Sequence, residues 1–421
     1  MKKYFARLYL AFSLCWSIIN VKGGMAVFDI IGKYNSATVY AKSVDSESYA
    51  QVLAMCNNEE LKDSKIKMMP DMHAAEGCTI GTSITITDKI NPSYVGSDIG
   101  CGMQVYKLSN SEIDFPLFDR CVRTYIPSGA AIHKKATAGI NQIPLKELYC
   151  NNILQHDIVA RSFGTLGGGN HFIEIDKSID GYYYLIIHSG SRRLGKDVAT
   201  YYQSAAYFAM NGISPEEALK KRIRFSDIES RVQVGNCFLS GEYLEKYLHD
   251  MHIAVQYAEL SRKQMGETLI NHLELKVEDS FTTIHNYVNI EDKILRKGAV
   301  SAKNNELLII PINMRDGCLI CKGKGNAEWN YTAPHGAGRM MKRSEAKVSI
   351  SIEEYKNSMK GIFSTSVNES TIDESPMAYR SIDDIIDVVE PTVEIIDITM
   401  PVYNFKASKE IFDEETADGQ D

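Results

Sequence analysis

Asp98 and Cys101 stand three residues apart in the run Val95-Gly96-Ser97-Asp98-Ile99-Gly100-Cys101-Gly102-Met103, an acid and a thiol set among three glycines. A carboxylate and a thiolate can ligate one divalent cation, or the sulfur can bridge two, and glycine lets a loop close tightly around something small and charged. Taken alone, the pair also fits a glycine-rich turn around a structural cysteine, since a free cysteine mostly behaves as a small core hydrophobe. The histidines shift that balance. Four of the ten, His171, His188, His285 and His335, sit beside Gly, Asn or Ser where loops or strand ends are expected. Core histidines have no reason to choose such neighbours repeatedly. With Asp98 and Cys101 they make a mixed O/S/N donor set suited to a borderline divalent transition metal, with zinc, manganese or another first-row ion left open.

Phosphate-binding chemistry lies next to these donors. The stretch Gly164-Thr165-Leu166-Gly167-Gly168-Gly169-Asn170-His171 offers backbone N–H groups to phosphate but lacks the Lys-Ser/Thr ending of a Walker loop. His188-Ser189-Gly190-Ser191-Arg192-Arg193 combines a ligand with hydroxyls and guanidinium groups. His335 is held in a Pro/Gly turn, Ala333 to Gly338, before a basic segment. The residues by themselves therefore point to a metal-dependent enzyme acting on phosphorylated substrates. Two other signals are weak. His249 and His252 lie three apart on an expected helix with no further ligand near in sequence, and Cys318-Leu319-Ile320-Cys321 is a CxxC without a second pair.

The elements that must position these groups can be read from periodicity. Ile80–Ile90, Tyr182–Ile187, Phe281–Ile284 and Leu307–Asn313 are expected strands, and Ala26–Val44 strands and turns. Ser46–Asn57, Leu145–Arg161, Gly195–Met210, Pro215–Arg222 and Tyr243–Asn271 are expected helices, the last long and amphipathic. With 421 residues, 44% hydrophobic and 24% charged, the composition is that of a globular protein with ample core. A net charge of −8 gives no global basic field for nucleic acid, although a local basic cleft can still hold phosphates. Nine irregularly spaced cysteines suggest a reducing compartment, and a cytoplasmic location is expected. Met1–Gly24, with Lys2, Lys3 and Arg7 before an apolar run, reads as an upstream extension or a signal-like segment, residues 25–406 as one interleaved domain, and the acidic 407–421 as a disordered tail.

Six ordered motifs resemble the RtcB family of RNA-splicing and RNA-repair ligases: Pro70-Asp71-Met72-His73, Asp98 to Met103, Gly167-Gly168-Gly169-Asn170-His171-Phe172, His188 to Arg192, His285-Asn286-Tyr287, and His335-Gly336-Ala337-Gly338-Arg339. The resemblance, from about Met25 to Lys406, implies an α/β fold with mixed sheets and flanking helices around a deep metal- and nucleotide-binding cleft. It implies a GTP-dependent ligase with two manganese ions that joins RNA 3′-phosphate or 2′,3′-cyclic phosphate ends to 5′-hydroxyl ends. Asp98, Cys101, His171, His188 and His285 would be metal ligands, with Cys101 bridging, and His335 the nucleophile that forms a histidine-GMP phosphoramidate. Asp71 would aid catalysis near the 5′-hydroxyl, and Arg192 would contact RNA phosphate. Asn170, Glu174, Asn286, Pro311, Asn313, Met314, Cys318, Gly336, Ala337, Gly338, Tyr379 and Lys406 fall where the family contacts GTP.

The chain departs from the family at Ile312-Asn313, where Gly-Ser is familiar, at Cys318, where a serine is expected near the guanine, and at Arg193 and Lys342. RNA is the expected substrate in repair or tRNA splicing, a monomer the favoured state, an activating protein partner is left open, and no membrane association is expected. The alternative is a dinuclear metal-dependent phosphoesterase acting on RNA ends, which would need neither His335 nor a nucleotide pocket. A non-catalytic RNA-binding factor would have no use for both a thiolate and a nucleophile.

Overall fold

The computed structural model describes residues 20–22, 25–223 and 236–408. Of Met1–Gly24 only residues 20–22 fall within it, and residues 409–421 of the acidic tail lie outside. The fold is mixed α/β. One seven-stranded sheet runs in the order Asn20–Lys22, Met25–Ile31, Ser36–Val39, Ile66–His73, Ile80–Thr85, Ile294–Lys297, Asn286–Asn289. Its pairings are antiparallel except that between Ser36–Val39 and Ile66–His73. The second seven-stranded sheet, antiparallel throughout, runs Val277–Ile284, Gly102–Leu108, Tyr183–Ser189, Phe172–Lys177, Val393–Phe405, Gly317–Gly323, Leu307–Asn313.

Side-chain alternation along the second sheet decides what faces the site. Ile173, Ile175, Leu185 and Ile187 pack in one core with Phe118 of the helix Phe115–Tyr125 and with Met265 and Leu269 of the helix Gly241–Leu273. The alternate residues Met103, Val105, Phe172 and Ile186 join a separate cluster with Ile309, Cys318 and Ile320. Because the strand period is two, His188 and Glu174 share the face of Ile186 and Phe172 rather than that of Ile187 and Ile173.

Most expected elements form, with two differences. Ile80–Ile90 is interrupted, giving Ile80–Thr85 and the short Lys89–Ile90. Leu145–Arg161 is not one helix: 3₁₀ turns at Leu145–Glu147 and Asn151–Ile153 precede a short α-helix, His156–Ser162. The cause is tertiary. The backbone N–H groups of Tyr149 and Cys150 donate to the buried Asp250 carboxylate, 3.0 Å each, and so are taken out of any continuous helical ladder. His249 also binds Asp250, and His252 contacts Gln256, so neither joins the other histidines.

Candidate active site

Antiparallel register gathers the donors. Cys101 immediately precedes Gly102–Leu108, His171 immediately precedes Phe172–Lys177, His188 is next to last in Tyr183–Ser189, and His285 immediately follows Val277–Ile284. His188 lies opposite both Met103 and Phe172, and Gly102 lies opposite both Ser189 and Ile284. Starts of two strands thus meet ends of two others at one edge of the sheet. Gly190 keeps that edge open, since a Cβ there would overlap the Asp98 carboxylate.

The result is a compact cluster. Cys101 Sγ is 3.4 Å from His171 Nε2 and 3.3 Å from His188 Nε2, His171 Nε2 is 3.1 Å from Asp98 Oδ2, and His188 Nε2 is 3.3 Å from His285 Nε2. Cys101, His171, His188 and His285 are buried. His171 Nδ1 donates to the Leu166 carbonyl at 2.9 Å, which fixes the tautomer and leaves Nε2 as a lone pair turned inward. Burial holds the His188 and His285 imidazoles well below the ordinary range, so both are neutral. In the metal-free chain, burial and then Asp98 push the Cys101 thiol well up.

Lone-pair nitrogens, a sulfur and a carboxylate turned toward one another lack a shared positive centre. Metal–ligand bonds of about 2.0–2.3 Å give tetrahedral edges of about 3.3–3.8 Å, close to the spacings seen here. The donor set fits a divalent transition ion, and Cys101, His171 and His188 by themselves place one ligand atom each within 4.8 Å of one another.

Arg262, fully buried on the long helix, supports this cluster from behind and was not legible in the sequence. One nitrogen donates to the carbonyls of Gly100 at 2.7 Å and Ser189 at 2.8 Å, which abut Cys101 and His188. Arg262→Met is expected to cost about 2–4 kcal/mol by leaving both carbonyls unpaired. Urea denaturation with and without added manganese checks this, and the stabilisation conferred by the metal should shrink as well.

His335 lies beside His285, ring centroids 4.9 Å apart. Its Nδ1 contacts Asp71 Oδ2 at 2.7 Å, and its backbone N–H donates to the same oxygen at 3.2 Å. Asp71 is completely buried. A carboxylate can only accept, so the proton sits on Nδ1 and Nε2 keeps its lone pair.

A cleft of about 760 Å³ opens at this point, lined by His188, His335, Asn170, Glu174, Pro311, Asn313, Met314, Gly336, Ala337, Gly338, Tyr379 and Lys406 among others. The remaining predicted residues sit around it. Asn286 braces the loop that carries Asp98, donating to the Asp98 carbonyl at 3.4 Å and accepting from Gly298 N–H at 2.9 Å. Cys318 is buried behind Glu174. Arg192 binds the Gly129 carbonyl at 2.9 Å and Thr165 Oγ1 at 3.3 Å, beneath the glycine-rich loop. Asp71 faces His335 rather than standing free.

Sequence reasoning missed Glu374, Arg343 and Asn404, and took Arg339 only as part of a motif. All four line the cleft. Burial would raise the Glu374 carboxyl, but Lys406, Arg343 and Arg339 hold it at about 2. Lys406 Nζ is 3.2 Å from it, Arg339 is 3.5 Å away, and the Tyr379 hydroxyl donates to it at 2.8 Å. Arg343 also pairs with Asp373 at 2.7 Å. Arg339, Arg343 and Lys406 thus converge on one wall, paired there with Glu374 and Asp373. Arg339 had a signal in its Gly-rich neighbourhood, but nothing local marks Glu374, whose partners arrive from three other segments.

The family described as "tRNA-splicing ligase RtcB" matches residues 54–157 and 151–407. The chain is 30% identical over 371 residues to the RNA-splicing ligase RtcB of Escherichia coli K12, covering 79% of this chain and 87% of that protein. It is 26% identical over 414 residues to the tRNA-splicing ligase RtcB of Aeropyrum pernix (76% and 83% covered) and 24% over 455 residues to that of Nanoarchaeum equitans (85% and 92%). No helix among the described residues is long and apolar enough to cross a membrane. With six motifs gathered around one cleft and a family match over most of its length, the chain belongs to the RtcB family.

Proposed function

We propose that this protein is a GTP- and manganese-dependent RNA ligase that joins 3′-phosphate or 2′,3′-cyclic phosphate ends to 5′-hydroxyl ends through a histidine-GMP intermediate. The observation that carries the proposal is the His335–Asp71 pair: a buried carboxylate fixes the Nδ1–H tautomer at 2.7 Å, and the resulting Nε2 lone pair belongs to a residue lining a nucleotide-sized cleft beside a metal-ready cluster.

Each step uses groups of this chain. His335 Nε2 attacks the α-phosphorus of GTP, the N–P bond forms, and pyrophosphate leaves with the electrons of the broken P–O bond. Asp71 stabilises the positive charge that develops on the ring and keeps it oriented. An oxygen of the RNA 3′-phosphate then takes the guanylyl group and the N–P electrons return to His335. Finally the 5′-hydroxyl oxygen attacks the activated RNA phosphorus, loses its proton and expels GMP. A 2′,3′-cyclic end is first opened by water to the 3′-phosphate. Asp98, Cys101, His171, His188 and His285 would hold the two ions, with Cys101 shared, and bound manganese would supply Lewis-acid neutralisation of phosphoryl charge. Asn170, Glu174, Tyr379, Lys406, the Pro311–Met314 turn and Gly336–Gly338 would hold the nucleotide, and the guanidinium groups of Arg339 and Arg343 suit its phosphates.

The test is incubation of the purified protein with α-labelled GTP or ATP and manganese, followed by a denaturing gel and acid or base treatment. An acid-labile, base-stable label is expected, and RNA end joining should follow it. Metal-loaded protein that takes no label from either nucleotide would sink the proposal and favour a phosphoesterase. Asp71→Asn should slow labelling by about 10²–10⁴-fold through loss of the fixed tautomer, with bound manganese unchanged. Labelling kinetics and metal analysis on the same preparation check both halves.

A further inference from the structure

Glu174 and Asp176 point from the same face of one strand into a pocket closed by Cys318, and all three are sealed, at 2%, 0% and 0% exposure. One ligand atom from each lies within 4.8 Å of the others. Counting hydrogens around the two carboxyl groups exposes a deficit. The Cys318 thiol donates to Glu174 Oε1 at 3.8 Å, the Asn404 amide donates to Glu174 Oε2, and the Thr399 hydroxyl donates to Asp176 Oδ2 at 2.6 Å. Asp176 Oδ1 has no partner. Three of four oxygens are supplied, and the fourth is a buried acceptor next to a second acid.

Two carboxylates cannot both stay charged in such a place without a counter-ion. Lys406 is the cation facing them, but its ammonium also lies 3.2 Å from Glu374, so one charge is shared among three carboxyl groups. A metal ion suits the surroundings poorly, because the Asn404 amide N–H already occupies Glu174 Oε2 and the Thr399 O–H already occupies Asp176 Oδ2. A proton completes the pair without rearrangement. Burial, with Asp176 adding to it, pushes the Glu174 carboxyl well up, and burial also raises Asp176.

We propose that Glu174 and Asp176 hold one proton between them at neutral pH, and that this proton makes Glu174 a donor as well as an acceptor toward the base of the bound nucleotide. Asp176 is then the specificity-determining residue, acting through Glu174. An ionised Glu174 offers two acceptors, which match the adjacent N1–H and N2–H donors of guanine, whereas adenine has only the single donor group N6 beside the acceptor N1. A neutral Glu174 offers one O–H and one carbonyl, which match O6 and N1–H of guanine or N1 and N6–H of adenine. The preference of the cleft for guanine over adenine should therefore strengthen once the shared proton is lost. This inference rests on the nucleotide-binding reading of the same cleft.

The test is calorimetric titration of the metal-loaded full chain with GTP and ATP analogues carrying a methylene between the α- and β-phosphates. Wild type and Asp176→Asn are compared at about pH 6 and about pH 9. The wild-type preference for the guanine analogue is expected to rise about tenfold with pH, and Asp176→Asn, which removes the second acid and leaves Lys406 as counter-ion to Glu174, should show the stronger preference at both. Comparing a ratio of two nucleotides cancels any effect of pH on the metals. The infrared carbonyl band of a protonated carboxylic acid should be present in wild type at neutral pH and lost in both Asp176→Asn and Glu174→Gln. A ratio that is flat in pH and equal in the two proteins overturns the inference, as does absence of the band. So does a cobalt-thiolate absorption that persists in Cys101→Ala and disappears when Cys318→Ser is added, because the pair would then hold a metal. Binding of neither nucleotide, with the infrared band present, would instead remove the nucleotide reading itself.

Discussion

His335→Ala is expected to abolish covalent attachment of the labelled nucleotide and to lower RNA joining by about 10⁴-fold or more, while leaving bound manganese unchanged. The separation of the two effects follows from position. His335 touches Asp71 through Nδ1 and lies tilted beside His285, but the cluster of Cys101, His171, His188 and Asp98 is complete without it. Alanine would also leave the fully buried Asp71 carboxylate with only the backbone N–H of residue 335, at a stability cost of about 1–3 kcal/mol. His335→Asn can return a donor to that carboxylate and still has no nucleophilic nitrogen. Both variants should fail to label, and asparagine should melt closer to wild type. A variant that still takes up label would mean that another residue is the nucleophile.

Cys101→Ala should remove the metal. Its sulfur contacts two imidazole nitrogens at 3.3 and 3.4 Å, so no other side chain can replace its donor without moving the strand Gly102–Leu108. Metal analysis after dialysis should show wild type retaining manganese and the variant retaining little. Labelling and joining should fall to background. Thermal melts give a second check that does not depend on activity: an ion at about 100 times its Kd stabilises a folded protein by about 2.7 kcal/mol, and that gain should appear in wild type and vanish in the variant. If Cys101→Ala loses only stability, and the metal-dependent gain survives, Cys101 is a core cysteine and not a ligand.

The local content of this site was legible in the sequence because it is written in short runs. A glycine-flanked acid and thiol, histidines placed at strand ends, and the apolar run Tyr182–Ile187 that reads as a strand all depend on neighbours within a few residues. Those runs determine which donors exist and which face of a strand they occupy. Motif resemblance then extended the reading to the cleft residues, of which Glu174, Tyr379 and Lys406 do line one cavity.

Tertiary structure alone decided how these pieces meet. The helix expected over Leu145–Arg161 is broken because Asp250, about a hundred residues away, takes its N–H groups. His335 and Asp71 lie 264 residues apart in the chain, and neither local periodicity nor composition pairs them. Arg262 reads as one more polar residue on a long helix until its guanidinium is found on the carbonyls of Gly100 and Ser189. The proton expected between Glu174 and Asp176 follows from Cys318, Thr399 and Asn404 closing over them from two other strands. Sequence determined the identity and facing of the reactive groups, since both are local properties. The sheet register and the burial it imposes determined their distances, hydrogen-bond partners and charge states, since those depend on atoms that are neighbours only after folding.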